Sequence, residues 1–238
     1  MIDDLWTAWA TLSRIPAPPI KQVRLRRSTV FFPAVGWAIA GLLIAGDWCL
    51  RGLMPVNLRA GILLIGYYFF FGYFHFDGFL DVADGFLASH KTPAQRYAIM
   101  KDPHIGAFAL LFGALTLLLQ YQATLHFSPN WFLFPIFGRI AMPWMLSVSK
   151  PFSKEGLAAG YYPYPRRYAL YSLFFLLPLC LYPPFWPACL VGVAVSLAII
   201  AVLRWVSLGL VGGINGDVLG CVCILTEVGF LLVNNLHS

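Results

Sequence analysis

Hydrophobic runs long enough to cross a bilayer fill most of this chain, and they leave little choice of architecture. Apolar stretches bounded by Pro, Gly or charge fall near 30–50, 58–80, 105–125, 131–148, 168–186, 188–206 and 218–235. A helix needs about 20 residues to span the hydrocarbon core. Backbone immersed in hydrocarbon must satisfy its own hydrogen bonds, so runs of this length become helices. Charged residues make up only 11% of the chain, against about 25% in soluble domains. The mean hydropathy of +0.75 agrees. The sequence therefore predicts an all-α, polytopic integral membrane protein with about seven transmembrane helices in a single domain covering 1–238.

The charges orient this bundle. Arg14, Lys21, Arg24, Arg26 and Arg27 precede the first run. Lys91, Arg96 and Lys101 follow the second, Lys150, Lys154, Arg166 and Arg167 follow the fourth, and Arg204 ends the sixth. That places thirteen of sixteen basic residues on one side, with Arg51 and Arg59 opposite and Arg139 inside a run. By the positive-inside rule the N-terminus is expected in the cytoplasm and the C-terminus outside. The first thirty residues carry Asp3, Asp4 and a basic cluster without a compact apolar core, so no cleavable signal peptide is expected. The net charge of +6 is thus topological. It predicts contact with membrane lipid and no nucleic-acid partner.

Against so apolar a background the ten acidic residues stand out. Asp77, Asp81 and Asp84 are spaced i, i+4, i+7, which puts three carboxylates on one helix face within two turns. Like charges at a bilayer edge repel one another and lose hydration, so they must be protonated or bind a cation. A Mg²⁺ site fits, since that ion takes oxygen ligands and keeps substrate phosphates in its shell. Gly78 and Gly85 read as room for a phosphate ligand against the backbone. The competing reading is a solvated helix end whose acids pair with Lys91 or Arg96. Asp102, Glu155 and Asp217 are expected at the same cytoplasmic rim, and Glu227 about 15 Å deep in the last helix.

Other residues are read less sharply. Arg139 is expensive inside a membrane without a partner. It serves either as a phosphate clamp or as a structural pair with Glu227 or an aspartate. The segment Gly212-Gly213-Ile-Asn215-Gly216-Asp217 offers backbone amides at a helix start, a favourable place for an anion. His75 points to a different helix face from Asp77 and is either a substrate contact or a packed histidine. The aromatic run Tyr67–Phe71 is expected to pack and to face lipid. Cys49, Cys180, Cys189, Cys221 and Cys223 lie in apolar stretches with no zinc-site spacing and are expected as buried small side chains.

Together these segments resemble the cobalamin synthase family, the adenosylcobinamide-GDP ribazoletransferases. Phe74-His-Phe-Asp77-Gly78-Phe-Leu-Asp81-Val-Ala-Asp84-Gly85 matches the family's H-x-D-G-x-x-D-x-x-D-G signature. Met100-Lys-Asp102-Pro-His-Ile-Gly106 is similar to its M-x-D-x-x-x-G turn. Leu12-Ser-Arg14-Ile-Pro16-Ala-Pro18 and Phe32-Pro33-Ala-Val-Gly36 resemble its T-R-x-P-x-P and F-P-x-x-G elements. Arg139, Lys154-Glu155-Gly156-Leu157 and Gly212 through Glu227 follow in family order. Ser13 stands where threonine is usual, Ala158 replaces a glycine, and Ile214-Asn215 replaces a more polar pair.

The resemblance implies a transferase that joins adenosylcobinamide-GDP to α-ribazole, or its 5′-phosphate, and releases GMP. It implies Mg²⁺ on Asp77, Asp81 and Asp84, with Asp81 or Asp84 taking the proton of the attacking ribose hydroxyl. His75, Asp102, Arg139, Glu155, Gly213, Asn215, Asp217 and Glu227 are implied as substrate contacts. The site is expected to face the cytoplasm from the cell membrane, and association between copies of the chain is left open. Three other readings compete. CDP-alcohol phosphotransferases carry D-G-x-x-A-R, where this chain has Leu80-Asp81. Membrane prenyltransferases carry a second Asp-rich motif, matched here only by Asp217 and Glu227. Buried acids also suit an ion-coupled transporter.

Overall fold

The computed structural model describes residues 1–128, 130–153 and 155–236. Pro129, between the expected runs 105–125 and 131–148, and Lys154, one of the basic residues counted above and part of the Glu155 stretch, lie outside the described residues. Among the described residues there are helices and turns but no strand, and one isolated parallel bridge joins Pro151 to Ile214.

Helix α1 (Ile2–Leu12) precedes the bundle. Among the described residues six helices are long and apolar enough to cross a membrane: α2 (Leu25–Leu50), α3 (Val56–Leu87), α5 (Ala107–Thr124), α6 (Trp131–Val148), α8 (Pro183–Leu210) and α9 (Gly216–Asn235). Between α3 and α5 lies the short α4 (Pro93–Met100), started by a Thr92/Gln95 capping box with Pro at its first turn. The expected run at 168–186 forms helix α7 (166–181), broken by a tight 3₁₀ turn at Leu173–Leu176 and restarted at Leu177 with Pro178 in its first turn. Its sixteen or so residues give about 24 Å of rise, short of a full hydrocarbon core. Pro183-Pro184 ends it.

Contacts between distant segments sort the loops into two ends. At one end Lys101 meets Asp217, Ile214 N–H donates to the Lys150 carbonyl, and Arg204 Nε donates to the Val148 carbonyl. At the other, Asp47 pairs with Arg51 and Arg59 at 2.5 and 2.6 Å, and Asn234 donates to Ser128. One buried carboxylate therefore answers both basic residues of that end. Helices α6 and α8 both finish at the Lys101 end, so the chain must return between them, and only α7 spans that stretch. The chain thus passes between the ends seven times, six of them on long apolar helices.

Helices α6 and α9 are the most enclosed and form the centre, with α3, α2 and α8 packed around them. The α3–α9 crossing is backbone on backbone. A Cβ on Gly78 would lie 2.8 Å from the Asp217 Cα, and one on Gly220 would lie 2.8 Å from the His75 carbonyl oxygen. Gly85 likewise admits the Arg96 carbonyl of α4. The space expected for phosphate at Gly78 and Gly85 is taken by protein, because the sequence does not say what stands opposite a glycine. Gly78→Ala should push α3 from α9 and lower stability by about 1–3 kcal/mol. Thermal unfolding in detergent checks this, and an unchanged midpoint would refute the close crossing. Of the cysteines, Cys189, Cys221 and Cys223 are buried as expected, whereas Cys49 and Cys180 lie on the outside of the bundle.

Candidate active site

Helix α3 changes geometry just before its acidic face. Val56–Tyr67 is α-helical, Tyr68–Gly72 forms a π turn, and Tyr73–Leu87 resumes the α-helix. A π turn widens the helix by one residue and frees carbonyls from the regular ladder. Two of these find donors elsewhere: Phe70 O accepts the Arg14 N–H at 2.8 Å, and Phe71 O accepts Arg139 Nη2 at 3.1 Å. At its far end α3 is stopped by Arg96, whose Nη1 donates to the carbonyls of Gly85 and Phe86. Arg96 holds a helix end and does not pair with the acids.

The three aspartates share a face, as their spacing requires, yet have different surroundings. Asp84 turns toward the start of α5, where its Oδ2 accepts Gly106 N–H at 2.7 Å and its Oδ1 accepts Ala109 N–H at 2.9 Å. It caps a helix 22 residues further along the chain and gains from the positive end of that helix. Asp77 is exposed and Asp81 half-buried. Among the described residues neither accepts a hydrogen bond, and no three His, Cys, Asp or Glu side chains converge as a ready-made metal centre. The electrostatic neighbours of Asp81 are Asp217, Asp77, Lys101 and Asp84.

Asp217 stands across from this face in the first turn of α9. Its Oδ2 accepts Lys101 Nζ at 2.9 Å and Asn215 Nδ2 at 2.7 Å, while Asn215 Oδ1 caps the helix at Val218 N–H. Partial burial works against the Lys101 ammonium. The hydrogen bond and negative charge of Asp217 outweigh it and raise the lysine pKa above its ordinary value. Lys101 therefore stays charged, with Asp217 and Asp81 as its acidic neighbours.

Two cavities meet here and share Asp77 and Lys101. The smaller, of about 270 Å³, is also lined by Asp81, Asp84, Asp102 and His104. The Asp102 carboxylate accepts the backbone N–H and the ring Nδ1 of His104, which holds its pKa below the usual carboxylate value. The larger, of about 580 Å³, is lined by His75, Tyr97, Glu155, Asn215, Gly216 and Asp217 together with apolar side chains of α1 and α6. His75 is nine-tenths buried, and its Nε2 has no partner among the described residues, so a hydrogen-bonding atom in that cavity would complete it.

The fold thus gathers Asp77, Asp81, Asp84, Asp102, His75, Glu155, Asn215 and Asp217 at one end. It leaves out three expected substrate contacts. Arg139 and Glu227 are fully buried and paired with each other, in the alternative the sequence left open, and Glu227 lies about 15 Å along α9 from Asp217. Gly213 packs against the 150–152 backbone, where a Cβ would sit 2.7 Å from Phe152 N, and does not line either cavity. Lys101 is the residue the sequence reading missed, because it was counted only toward topology. Its place beside Asp102 in a polar turn was the available signal.

Fold and site together define a polytopic helical membrane protein with carboxylates and a lysine gathered around two cavities at one end. The chain is a member of the cobalamin-5-phosphate synthase family, whose model matches residues 4–234. The adenosylcobinamide-GDP ribazoletransferase of Thermosipho melanesiensis is 36% identical over 98% of both chains. Proteins of the same name are 32% identical in Thermosipho africanus, over 88% of this chain and 87% of that one, and 30% identical in Kosmotoga olearia, over 99% and 100%. No solved structure matches the chain.

Proposed function

We propose that the protein joins adenosylcobinamide-GDP to α-ribazole, or its 5′-phosphate, to give adenosylcobalamin, or its 5′-phosphate, and GMP. The observation that carries this is the pair Asp77 and Asp81, without donors among the described residues, facing Asp217 and Lys101 where the two cavities join. An all-oxygen donor set of this kind suits Mg²⁺. Asp77 and Asp81 would hold it, with Asp217 within electrostatic reach. When bound, the ion supplies neutralisation of the pyrophosphate charge as GMP departs.

The chain's own groups do the rest. The ribose hydroxyl of α-ribazole attacks the phosphorus bonded to cobinamide, the bond from that phosphorus to the GMP oxygen breaks, and the hydroxyl proton passes to a carboxylate. Asp81 suits the proton better than Asp84, whose two oxygens are already engaged by α5. Lys101 faces the departing phosphate. His75 Nε2, Asn215 and Glu155 border the larger cavity and would contact substrate there. Most of the rate enhancement would come from positioning and fixed charge.

The acidic end is assigned to the cytoplasmic side of the cell membrane, supported by the thirteen basic residues counted at that side. Purified protein in detergent, given adenosylcobinamide-GDP and α-ribazole, is expected to release GMP with Mg²⁺ and to lose at least about 100-fold in rate when the ion is chelated. No GMP under any metal condition would sink the transferase reading. Full activity in chelator would sink the metal site alone.

A further inference from the structure

A second polar region lies at the same end of the bundle, on the far side of the turn Leu157–Gly160. Two adjoining crevices of about 570 and 360 Å³ share Arg27 and Tyr168. Arg24, Arg26 and Gly160 line the first, and Arg167 and Tyr171 the second. Basic residues are expected in these loops on topological grounds, but topology alone does not focus four arginines on one pair of crevices.

Their charge is largely unanswered. Asp4 is the buried acid here, and it already serves Arg27 at 3.1 Å and the N-terminal amine at 3.6 Å. Among the described residues Arg24 and Arg26 find neutral acceptors, the side-chain oxygen of Gln22 and the Tyr162 carbonyl. Arg167 lies over the Tyr168 ring, 5.6 Å from its centroid. The crevices thus concentrate surplus positive charge with guanidinium donors that suit phosphate.

Depth decides what kind of phosphate. The second crevice includes Val30 and Phe31 of the first turns of α2, and Tyr171 of the first turns of α7. It therefore sits where two spans leave the apolar layer, with tyrosines at headgroup level. Directly along α7 the outward side chains are apolar: Leu170, Phe174 and Leu177 are all exposed. A basic crevice above an exposed apolar strip is complementary to one molecule that carries both parts. We propose that this seam between α2 and α7 seats an anionic phospholipid, its headgroup lying across the two joined crevices within the surplus charge of Arg24, Arg26 and Arg167, and its acyl chains along Leu170, Phe174 and Leu177.

Native mass spectrometry of the protein, released from detergent with added lipid, tests this. Phosphatidylglycerol is expected to remain bound and phosphatidylcholine to bind at least 5-fold less. The Arg24→Gln/Arg167→Gln variant changes two surface side chains and spares the buried Asp4–Arg27 pair. It should lose phosphatidylglycerol at least 5-fold while keeping the wild-type unfolding midpoint, and Arg24→Lys/Arg167→Lys should retain most of it. Equal retention of the two lipids, or undiminished binding by the Gln variant, would overturn the proposal. Displacement of phosphatidylglycerol by millimolar inorganic phosphate would overturn it as well, since the crevice would then take free phosphate in place of lipid.

Discussion

Asp77→Asn and Asp81→Asn are each expected to lower kcat/KM for GMP release by about a thousandfold while leaving the protein inserted and folded. The expectation follows from their surroundings. Among the described residues neither carboxylate accepts a hydrogen bond, and Asp81 has three other acids as neighbours, so neither charge serves the fold. Carboxylates crowded together without protein donors are there for a cation or a proton, and removing one preorganised group at a reacting centre costs on the order of 10²–10³ in rate. Asp84→Asn should behave differently. One of its oxygens would become an NH₂ group facing a backbone N–H of Gly106 or Ala109. That leaves a donor against a donor and costs about 1–3 kcal/mol of stability. The comparison needs unfolding midpoints and kinetics on the same three preparations. Near wild-type kcat/KM in both Asp77→Asn and Asp81→Asn would sink the carboxylate site. A kinetic loss in Asp84→Asn as large as theirs, with no loss of stability, would restore the third carboxylate as a ligand.

That division of labour marks where sequence reasoning stopped. The i, i+4, i+7 spacing was enough to put three acids on one face, because helix geometry is local. It was silent on Asp84, whose partners lie 22 residues away on a helix start that only the tertiary fold brings near. Gly78 was misread for the same reason: a missing side chain signals close approach, but whether phosphate or Asp217 approaches depends on the other helix. The spans were legible because hydropathy needs no partner. Helix α7 was legible as an apolar run and not as a segmented one, since the Leu and Phe residues on either side of Pro178 keep the run apolar through the break. Lys101 was legible as a charge and hidden as a site residue. The positive-inside rule explained it so economically that its neighbour Asp102 drew the attention.

Arg139→Ala is expected to cost about 3–5 kcal/mol in unfolding free energy. The guanidinium is wholly enclosed and donates to Glu227, to the Tyr67 hydroxyl at 2.8 Å and to Phe71 O at 3.1 Å, while Tyr67 O–H donates to Glu227 at 2.5 Å. Gly138 is the residue that makes room for that carboxylate, since a Cβ there would sit 2.6 Å from Glu227 Oε1. Removing the arginine leaves Glu227 in an apolar centre with the Tyr67 hydroxyl and the Cys223 thiol but without its counter-charge, and an uncompensated buried charge is what makes such truncations severe. Replacing both, as Arg139→Met with Glu227→Leu, removes the two charges together and should regain most of the loss. What it does not regain is the donor to Phe71 O in the π turn Tyr68–Gly72. That turn inserts one residue ahead of the acids, and one residue is about 100° of helical phase. If the turn relaxes to a regular helix, Asp77 and Asp81 rotate away from Asp217 and Lys101. The double variant should therefore unfold within about 1–2 kcal/mol of wild type yet transfer at least 10-fold more slowly. A phosphate clamp at Arg139 predicts the reverse for Arg139→Ala, a raised KM with an unchanged unfolding midpoint, so the two measurements on that one variant decide between a residue that binds substrate and one that sets the angle of those that do.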